Sequence, residues 1–355
     1  MTVELNFALV GCGHIASRHA RVISDLKEEG ARLVGVCDTN WERAQAFGLE
    51  FDVPFYTSFE ELSRQQHVDV WSVLTPSGTH AEVVIRLANF GGSILVEKPM
   101  ALRLSDADRM IAACDEASVS LFVMKQMRLH RPVQRLKEMI DAGALGRLVM
   151  CSARVRWCRP QEYYDKDSWR GTWALDGGVI SNQASHHIDL LLWMMGDVKN
   201  VQATSSRALV DIEAEDTAIV ILEFESGALG VIEATTAARP RNIEGSVSVL
   251  GELGMVELGG MTADKILKWE LLPLSDNDVN PDELANPAGD GDFGHREYYR
   301  KVIECIKTGG RPLVDGLVGR HSLELISAIY EAIETGRKVP LRFSPSRCKL
   351  GVSED

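Results

Sequence analysis

The sequence predicts an α/β protein with two domains, a doubly wound parallel sheet followed by an α+β domain built on a large, mostly antiparallel open sheet. Two observations predict this class. Short apolar segments alternate with helical segments as far as about residue 124, which is typical of a parallel sheet. Beyond Gln126 the pattern changes to strands with one apolar face. The predicted boundaries are 1–127 and 128–343, with a tail at 344–355.

Composition limits the classes of function. The 355 residues are 45% hydrophobic and 25% charged, and the net charge of −13 disfavours a nucleic-acid partner. No apolar run approaches the roughly 18 residues that span a bilayer, and the N-terminal residues do not resemble a signal peptide. The seven cysteines are scattered and contain no CxxC pair. We therefore expect a cytoplasmic protein with no membrane partner, no disulfide framework and no metal site.

The first strand leads into a glycine-rich turn. Apolar residues 6–10 are followed by Gly11-Cys12-Gly13-His14-Ile15-Ala16, and helical spacing continues to Leu26. The first glycine permits a tight turn, the second allows close approach of a pyrophosphate, and Ala16 lets the helix pack on the strand. Free N–H groups at that helix N-terminus favour an anion. His14 is interpreted either as exposed loop or as a cofactor contact.

The second strand indicates which dinucleotide binds. It covers residues 32–37 and ends in Asp38, which follows Ala16 by 22 residues. A carboxylate there would accept hydrogen bonds from both ribose hydroxyls and would repel a 2′-phosphate. The first domain is therefore predicted to be a Rossmann domain that binds NAD.

Two further strand ends carry polar motifs. A strand over 68–74 precedes Thr75-Pro76 and His80, and a strand over 93–96 precedes Glu97-Lys98-Pro99. Ligands bind outside the carboxyl ends of the strands in such sheets, so Lys98 should face the dinucleotide. His80 is either a cofactor contact or a helix cap. Helices at 41–49, 80–90 and 105–117 and a strand at 121–124 complete the predicted domain.

The second domain contains a polar stripe on an apolar helix. A helix is predicted over 181–195, with Asn182, His186 and Asp189 on one face, and its apolar surroundings favour a site rather than a solvated surface. His187 points elsewhere and is interpreted as structural. Arg154 and Arg156 alternate along one strand and should share a face. The other predicted elements are helices at 132–142 and 316–335, a loop at 274–294, and strands at 148–157, 198–207, 217–225, 229–236 and 245–250.

Several motifs occur in an order that carries a resemblance. Gly11-x-Gly13-x-x-Ala16, Thr75-Pro76-x-x-x-His80, Glu97-Lys98-Pro99 and Asp176-Gly177-Gly178…His186-x-x-Asp189 resemble the glucose–fructose oxidoreductase/inositol dehydrogenase/rhizopine catabolism (Gfo/Idh/MocA) family over roughly residues 5–340. The resemblance implies a catalytic lysine, aspartate and histidine, which match Lys98 and His186 with Asn182 in the aspartate's place. It implies cofactor contacts at Gly11, Gly13, His14, Ile15, Asp38, Thr75, Pro76, His80, Glu97, Lys98 and Gln126.

Asn182 also points to one branch of that family. Together with Lys125-Gln126-x-Arg128, Tyr163-Tyr164 through Trp173, and Phe293-Gly294-His295, it resembles the branch that oxidises UDP-2-acetamido-2-deoxyglucuronate (UDP-GlcNAcA) at C3. Met127 stands where that branch has asparagine. A substrate with a diphosphate and a carboxylate needs cations, and Arg156 is the first candidate. The expected substrate contacts are Lys98, Arg156, Tyr163, Trp169, Asn182, His186 and Arg241.

The resemblance implies partners as well. They are a nucleotide sugar, 2-oxoglutarate as a candidate second substrate that reoxidises NADH, and a homo-dimer or homo-tetramer formed through the exposed sheet face; the expected context is polysaccharide biosynthesis. Two alternatives stay open: another sugar or cyclitol dehydrogenase of the family, and a non-catalytic regulator that senses a dinucleotide. Retention of Lys98 with His186 favours an enzyme.

Overall fold

The computed structural model describes residues 4–272, 284–287, 289–341 and 350–351. They form two compact units. The first contains the chain up to Gln126 together with Gly291–Arg320, and the second contains Met127–Asp290 together with the residues from His321 onward.

The first unit is built on a six-stranded sheet. Its order is β3-β2-β1-β4-β5-β6 and all its pairs are parallel, so the predicted doubly wound sheet is confirmed. The central strands are mostly apolar because helices cover both faces of such a sheet. The strands are β1 (Leu5–Val10), β2 (Ala31–Cys37), β3 (Phe55–Tyr56), β4 (Val70–Val73), β5 (Ser93–Val96) and β6 (Leu121–Val123).

Most helices of the first unit are amphipathic, and two of them begin after a residue whose side chain caps them. Asn40 and Ser58 accept hydrogen bonds from backbone N–H groups three residues on, which explains where two helices start. Within the described residues the α-helices are α1 (Ala16–Asp25), α2 (Trp41–Phe51), α3 (Phe59–Gln65), α4 (His80–Ala88), α5 (Leu104–Glu116), α6 (Arg131–Asp141), α7 (Gln161–Asp165), α8 (Ser185–Met195), α9 (Phe293–Thr308) and α10 (Gly316–Thr335).

The second unit contains an eight-stranded sheet in the order β13-β12-β11-β7-β10-β9-β8-β14. Only the β7–β10 pair is parallel among its described pairs, so the mostly antiparallel sheet is confirmed. The strands are β7 (Leu148–Arg156), β8 (Val198–Ser206), β9 (Thr217–Phe224), β10 (Leu229–Thr235), β11 (Glu244–Gly251), β12 (Gly254–Gly259), β13 (Lys265–Leu271) and β14 (Val339–Pro340).

Each strand of this sheet has a buried and a more exposed face. In β7, Cys151, Ala153 and Val155 are fully buried, while Arg154 and Arg156 lie on the opposite face as predicted. The buried face is covered by α8, whose sequence is apolar on almost every side. This explains why α8 is not amphipathic.

The units differ from the predicted domains in one respect. Residues 291–320 belong to the first unit, where α9 packs on α1 and Arg18 pairs with Asp292 at 2.7 Å. Periodicity indicates that a segment is helical but not which core it joins. The sequence prediction does not contain the helices α3, α7 and α9 or the strands β3, β12, β13 and β14. Part of the predicted loop at 274–294 and most of the predicted tail at 344–355 lie outside the described residues.

A search of the described helices for a membrane span finds none of sufficient length and hydropathy.

A buried ion pair holds α8 within the second unit. Arg128 donates from Nε and Nη2 to the two oxygens of Asp189, both at 2.8 Å, and Ser322 Oγ donates to Asp189 Oδ1 at 2.6 Å. The two charged side chains are only 9% and 2% exposed. Removing one member of such a pair leaves a buried charge without its counterion.

We therefore expect Asp189→Asn to lower the free energy of unfolding by about 3–5 kcal/mol, measured by urea denaturation. Glu60→Gln is the control, because it breaks a pair with Arg86 that is about half exposed. That change should cost less than about 1 kcal/mol. Equal losses in the two variants would contradict a special role for the buried pair.

Candidate active site

The glycine turn of the first unit fits a dinucleotide. Gly11 has φ +101°, and a Cβ there would lie 2.8 Å from the carbonyl carbon of Leu74, so the turn packs directly on the end of β4. Gly13 has nothing within 4 Å of a built Cβ. The structure therefore leaves open space at the second glycine, where a pyrophosphate would approach the N-terminus of α1. His14 in this turn is exposed and Ile15 is partly buried.

Asp38 stands at the end of β2 beside that turn. Its Oδ2 accepts from Cys12 N at 2.9 Å, and its Oδ1 accepts from Asn40 N at 2.9 Å. Arg43 Nη1 lies 3.8 Å from Oδ2. The carboxylate is thus held in place by backbone N–H groups next to the glycine turn, where the sequence predicts the ribose to bind.

Glu97 and Lys98 follow β5. Glu97 N donates to Val73 O at 3.0 Å, and Lys98 N donates to the Glu97 carboxylate at 3.0 Å. Burial alone raises the pKa of Glu97, but the hydrogen bond from His19 and nearby positive charges outweigh it and lower the pKa to about 2. Glu97 is therefore ionised at neutral pH. Lys98 itself is partly buried.

The Thr75–His80 segment supports the Glu97-Lys98-Pro99 turn. His80 is buried, and its ring nitrogens lie 2.8 Å from Thr75 O and 3.0 Å from Pro99 O, which ties the ends of β4 and β5 together. Burial lowers the pKa of His80. Thr75, Pro76 and Gln126 are partly buried near the same strand ends. Contact of these residues with the cofactor stays a prediction.

In the second unit, Asn182 lies in a turn and not in the predicted helix. The helix α8 begins at Ser185, because the preceding residues fold around Asp176. Asn182 Nδ2 donates to Asp176 Oδ1 at 2.6 Å, and Ser181 Oγ donates to Asp176 O at 2.5 Å. The prediction of a helix from residue 181 is therefore wrong at its start. The Asn182 amide is oriented by Asp176 instead of by helical register.

A second buried carboxyl group supports this turn. Glu215 Oε1 accepts from Ile180 N and from Tyr330 Oη, both at 3.0 Å. A Cβ at Gly178 would lie 2.2 Å from Glu215 Cδ, so only glycine allows the turn to approach so closely. Burial and the charge of Asp176 raise the pKa of Glu215 to about 7. The sequence analysis missed Glu215 and Tyr330, since neither belongs to a motif.

His186 lies in the first turn of α8 with 8% of its surface exposed. The next residue, His187, is fully buried, and its ring meets that of Trp157 edge-on at 6.2 Å. Burial lowers the pKa of His187 to about 4, which agrees with a structural role. Asp189 pairs with Arg128 as described above. The three residues of the predicted polar stripe therefore lie in different surroundings: Asn182 in the turn, His186 at the start of α8 and Asp189 in a buried ion pair.

Aromatic and arginine side chains stack in the segment before the turn. The guanidinium of Arg170 lies 4.6 Å from the ring centre of Tyr163 and 4.5 Å from that of Trp169, and Arg170 Nη1 donates to Tyr163 Oη at 2.7 Å. Arg159 stacks over Tyr163 at 5.2 Å. Tyr163 and Trp169 are thus brought together by cationic partners.

Arg156 lies on the outer face of β7. Its Nε and Nη2 donate to the two carboxylate oxygens of Glu233 at 2.6 and 2.7 Å, and Glu244 lies 3.2 Å from Nη1. Its charge is therefore balanced by glutamates in this structure. Arg241 is exposed in the connection before β11. Binding of substrate by these two arginines stays a prediction.

Two sequence-family models match the chain. Residues 5–125 match the oxidoreductase family with an NAD-binding Rossmann fold, and residues 133–257 match the GFO/IDH/MocA C-terminal domain. A curated relative, the myo-inositol 2-dehydrogenase of Thermotoga maritima, is 28% identical over 95% of this chain and 98% of its own length. The D-apiose dehydrogenase of Paraburkholderia graminis is 25% identical over 94% of this chain and 89% of its own length.

Two solved structures are more similar. The WlbA dehydrogenase of Bordetella pertussis, in complex with NADH and UDP-GlcNAcA, is 40% identical with a TM-score of 0.92 and matches 96% of this chain and 98% of that one. The WlbA dehydrogenase of Chromobacterium violaceum, with the same two ligands, is 38% identical with a TM-score of 0.89 and matches 96% of each chain.

The chain belongs to the Gfo/Idh/MocA family of oxidoreductases, and its resemblance to the WlbA branch is confirmed. It is an NAD-dependent oxidoreductase that acts on a CH–OH group of a sugar-like substrate.

The raised pKa of Glu215 gives a prediction for stability. A carboxyl group whose pKa rises from 4.5 in the unfolded chain to about 7 on folding stabilises the protein below pH 4.5, and this contribution disappears as the pH rises through 7. Between pH 4.5 and 8, deprotonation of Glu215 should lower the unfolding free energy of the wild type by about 3 kcal/mol. Glu215→Gln should lack this part of the pH dependence. Urea denaturation across this range measures the difference between variant and wild type.

The difference between variant and wild type is needed because other groups titrate in the same window. Burial lowers the pKa of His80, His130 and His187, which makes stability rise with pH. Glu213→Gln, on the same segment but exposed, is the control. A pH dependence in Glu215→Gln equal to that of the wild type would show that Glu215 is not the titrating group.

Proposed function

We propose that this enzyme oxidises the 3-hydroxyl of UDP-GlcNAcA to the 3-keto sugar. The observation that carries the proposal is the similarity to the two WlbA dehydrogenases, whose solved complexes contain NADH and UDP-GlcNAcA. It extends over 96% of this chain, so it includes both the dinucleotide domain and the turn that holds Asn182. The motifs around Asn182 had pointed to the same branch.

Three side chains carry the chemistry. Bound NAD supplies the acceptor for the hydride that leaves the sugar carbon. His186 takes the hydroxyl proton as general base, because the pKa of an unperturbed imidazole is near neutral pH. Lys98 donates a hydrogen bond to the same oxygen and stabilises developing negative charge there. Asn182 orients the sugar, and Asp176 in turn fixes the Asn182 amide.

An asparagine in place of the family's aspartate removes a group that could take up or release a proton. An amide cannot exchange a proton with His186, and Nδ2 of Asn182 already donates to Asp176 at 2.6 Å. The amide can contribute hydrogen bonds only, through its N–H groups and its carbonyl oxygen. This arrangement favours a hydrogen bond to a substrate hydroxyl or amide over a proton relay.

The nucleotide and carboxylate of the substrate need cationic and aromatic partners. Tyr163 and Trp169, stacked with Arg170, offer flat surfaces and a guanidinium in one place. Arg159 donates to Cys158 O and Asn242 Oδ1 and makes no ion pair with the described carboxylates. An anionic substrate would supply that missing counter-charge. Arg156 and Arg241 complete the proposed set, and Arg156 would have to leave Glu233 to take part.

The proposal includes assembly. The outer face of the second sheet exposes Ile219, Ile221 and Leu229 beside the charged residues of β7, and we propose that two or four copies associate through it. Static light scattering tests the assembly.

We further propose that 2-oxoglutarate is the oxidant that regenerates NAD, that the enzyme acts in polysaccharide biosynthesis, and that it is cytoplasmic.

A second candidate is oxidation of a free sugar or cyclitol. The curated relatives that match 94–95% of this chain are named D-apiose dehydrogenase and myo-inositol 2-dehydrogenase. The similarity to each of them extends over both units of this chain. The identity of 25–28% is lower than the 40% to the WlbA enzyme, which places this candidate second.

The deciding experiment follows the absorbance of reduced nicotinamide in the purified protein. Addition of NAD and UDP-GlcNAcA should raise it, and later addition of 2-oxoglutarate should lower it if NADH is recycled in place. UDP-GlcNAc, which lacks the carboxylate, is the matched control. A response to myo-inositol or a pentose with none to UDP-GlcNAcA would contradict the proposed substrate and select the second candidate.

His186→Asn should lower kcat by about 10²–10⁴, because it removes the base and keeps a small polar side chain. His321→Asn is the control: this histidine is 39% exposed and pairs with Asp197 at 3.4 Å. Turnover in His186→Asn close to that of His321→Asn would contradict the role of His186.

A further inference from the structure

We propose that His19 and Tyr299 are positioning residues for Lys98, acting through the buried carboxylate of Glu97. The inference rests on the proposed role of Lys98 at the reacting oxygen. It does not depend on which sugar is oxidised, because the residues involved all lie in the dinucleotide-binding unit.

A continuous chain of hydrogen bonds leads to Lys98. Ser72 Oγ lies 2.9 Å from Tyr299 Oη, which lies 2.8 Å from His19 Nδ1. His19 Nε2 lies 3.0 Å from Glu97 Oε1. The other oxygen of Glu97, Oε2, accepts from Lys98 N at 3.0 Å.

The two carboxylate oxygens have different partners, so the chain fixes the rotation of the Glu97 side chain. Glu97 is ionised at neutral pH and cannot donate, so His19 Nε2 carries a proton toward it. The other ring nitrogen, His19 Nδ1, is then held by the Tyr299 hydroxyl at 2.8 Å. Burial raises the pKa of Tyr299 well above its ordinary value, so the hydroxyl proton is always present.

Burial makes this chain rigid. Ser72, His19 and Tyr299 are 0% exposed, and the rings of His19 and Tyr299 meet edge-on at 5.6 Å. A buried carboxylate is costly unless it is hydrogen-bonded, so loss of one partner makes Glu97 seek another. Glu97 Oε2 already accepts from Lys98 N, so rotation of the carboxylate toward a replacement partner would lengthen or break that contact and release the Lys98 peptide.

The chain of hydrogen bonds joins four elements that lie far apart in the sequence. Ser72 lies in β4, Tyr299 in α9, His19 in α1 and Glu97 at the end of β5. The helix α1 also carries the glycine turn at its N-terminus. One hydrogen-bonded chain thus connects the helix that faces the cofactor with the residue that precedes the proposed catalytic lysine.

His295 is a further neighbour of Glu97, with Nε2 at 3.9 Å from Oε1. The ligand atoms of His19, Glu97 and His295 lie within 4.8 Å of one another, a set that could also chelate a divalent cation. A metal would replace the proton between His19 and Glu97. Stoichiometric zinc or another divalent metal in the purified protein would therefore overturn the hydrogen-bonded chain.

Tyr299→Phe tests the proposal against a close control. The adjacent Tyr298 is equally buried, but its hydroxyl donates to Val123 O at 2.5 Å and lies outside the chain. Tyr299→Phe should lower kcat by about 10- to 100-fold with the KM for NAD little changed. Tyr298→Phe should lower the melting temperature comparably and leave kcat near the wild-type value. Equal losses of kcat in the two variants would overturn a positioning role.

A conservative change at His19 gives a second test. His19→Gln keeps a donor at the position of Nε2, whereas His19→Leu has none. We expect kcat to be partly rescued in His19→Gln relative to His19→Leu. Identical turnover in the two variants would contradict the proposal.

A crystal structure of Tyr299→Phe separates this inference from the proposed function, because it needs no substrate. The Glu97 Oε2 to Lys98 N contact should be lost or lengthened. If it is unchanged, the positioning role fails, whatever the substrate. If wild type does not oxidise UDP-GlcNAcA, the proposed substrate fails, and kcat of the variants is measured on the polyol that wild type does oxidise.

Discussion

The ionised carboxylate of Glu97, buried at the end of β5, is the constraint on which the first unit depends. A charge in that position is tolerated only because polar groups surround it. His19 of α1 and the backbone N–H of Lys98 lie within hydrogen-bond distance, and His295 of α9, almost 200 residues away, lies 3.9 Å from Oε1. The helix α9 adds Tyr299, whose hydroxyl lies 2.8 Å from His19 Nδ1, so a distant segment of the first unit supports the partner of this charge. The proposed catalytic lysine directly follows Glu97, so its backbone N–H belongs to the same network.

In the second unit, two more buried carboxyl groups hold a segment of the backbone in place. Asp176 holds the turn that presents Asn182, and Glu215 fills the space beneath that turn, where Gly178 leaves room for it. Both carboxyl groups are buried among backbone N–H donors. A turn built around carboxyl groups in this way has little freedom, which suits a turn that must orient a sugar hydroxyl.

The elements themselves were largely predictable because their signals are local. The glycine turn, the apolar strands of the first sheet and the helix α10 follow from spacing over fewer than twenty residues. The start of α8 was not predictable. Asn182 has helical spacing from His186, yet its amide donates to Asp176, and a hydrogen bond of that kind depends on contacts outside the helix. Asp189 likewise belongs to an ion pair with Arg128, 61 residues distant.

The sequence alone determined the class of fold, the dinucleotide turn and the identity of the side chains that can do chemistry, since backbone propensity and motif spacing are properties of neighbouring residues. Only the tertiary structure decided which partner each buried charge has. Asp189 pairs with Arg128, Glu97 with His19, and Glu215 with Tyr330. The physical reason is that the cost of burying a charge is offset by whichever groups the fold brings within about 3 Å, and these lie far away in sequence.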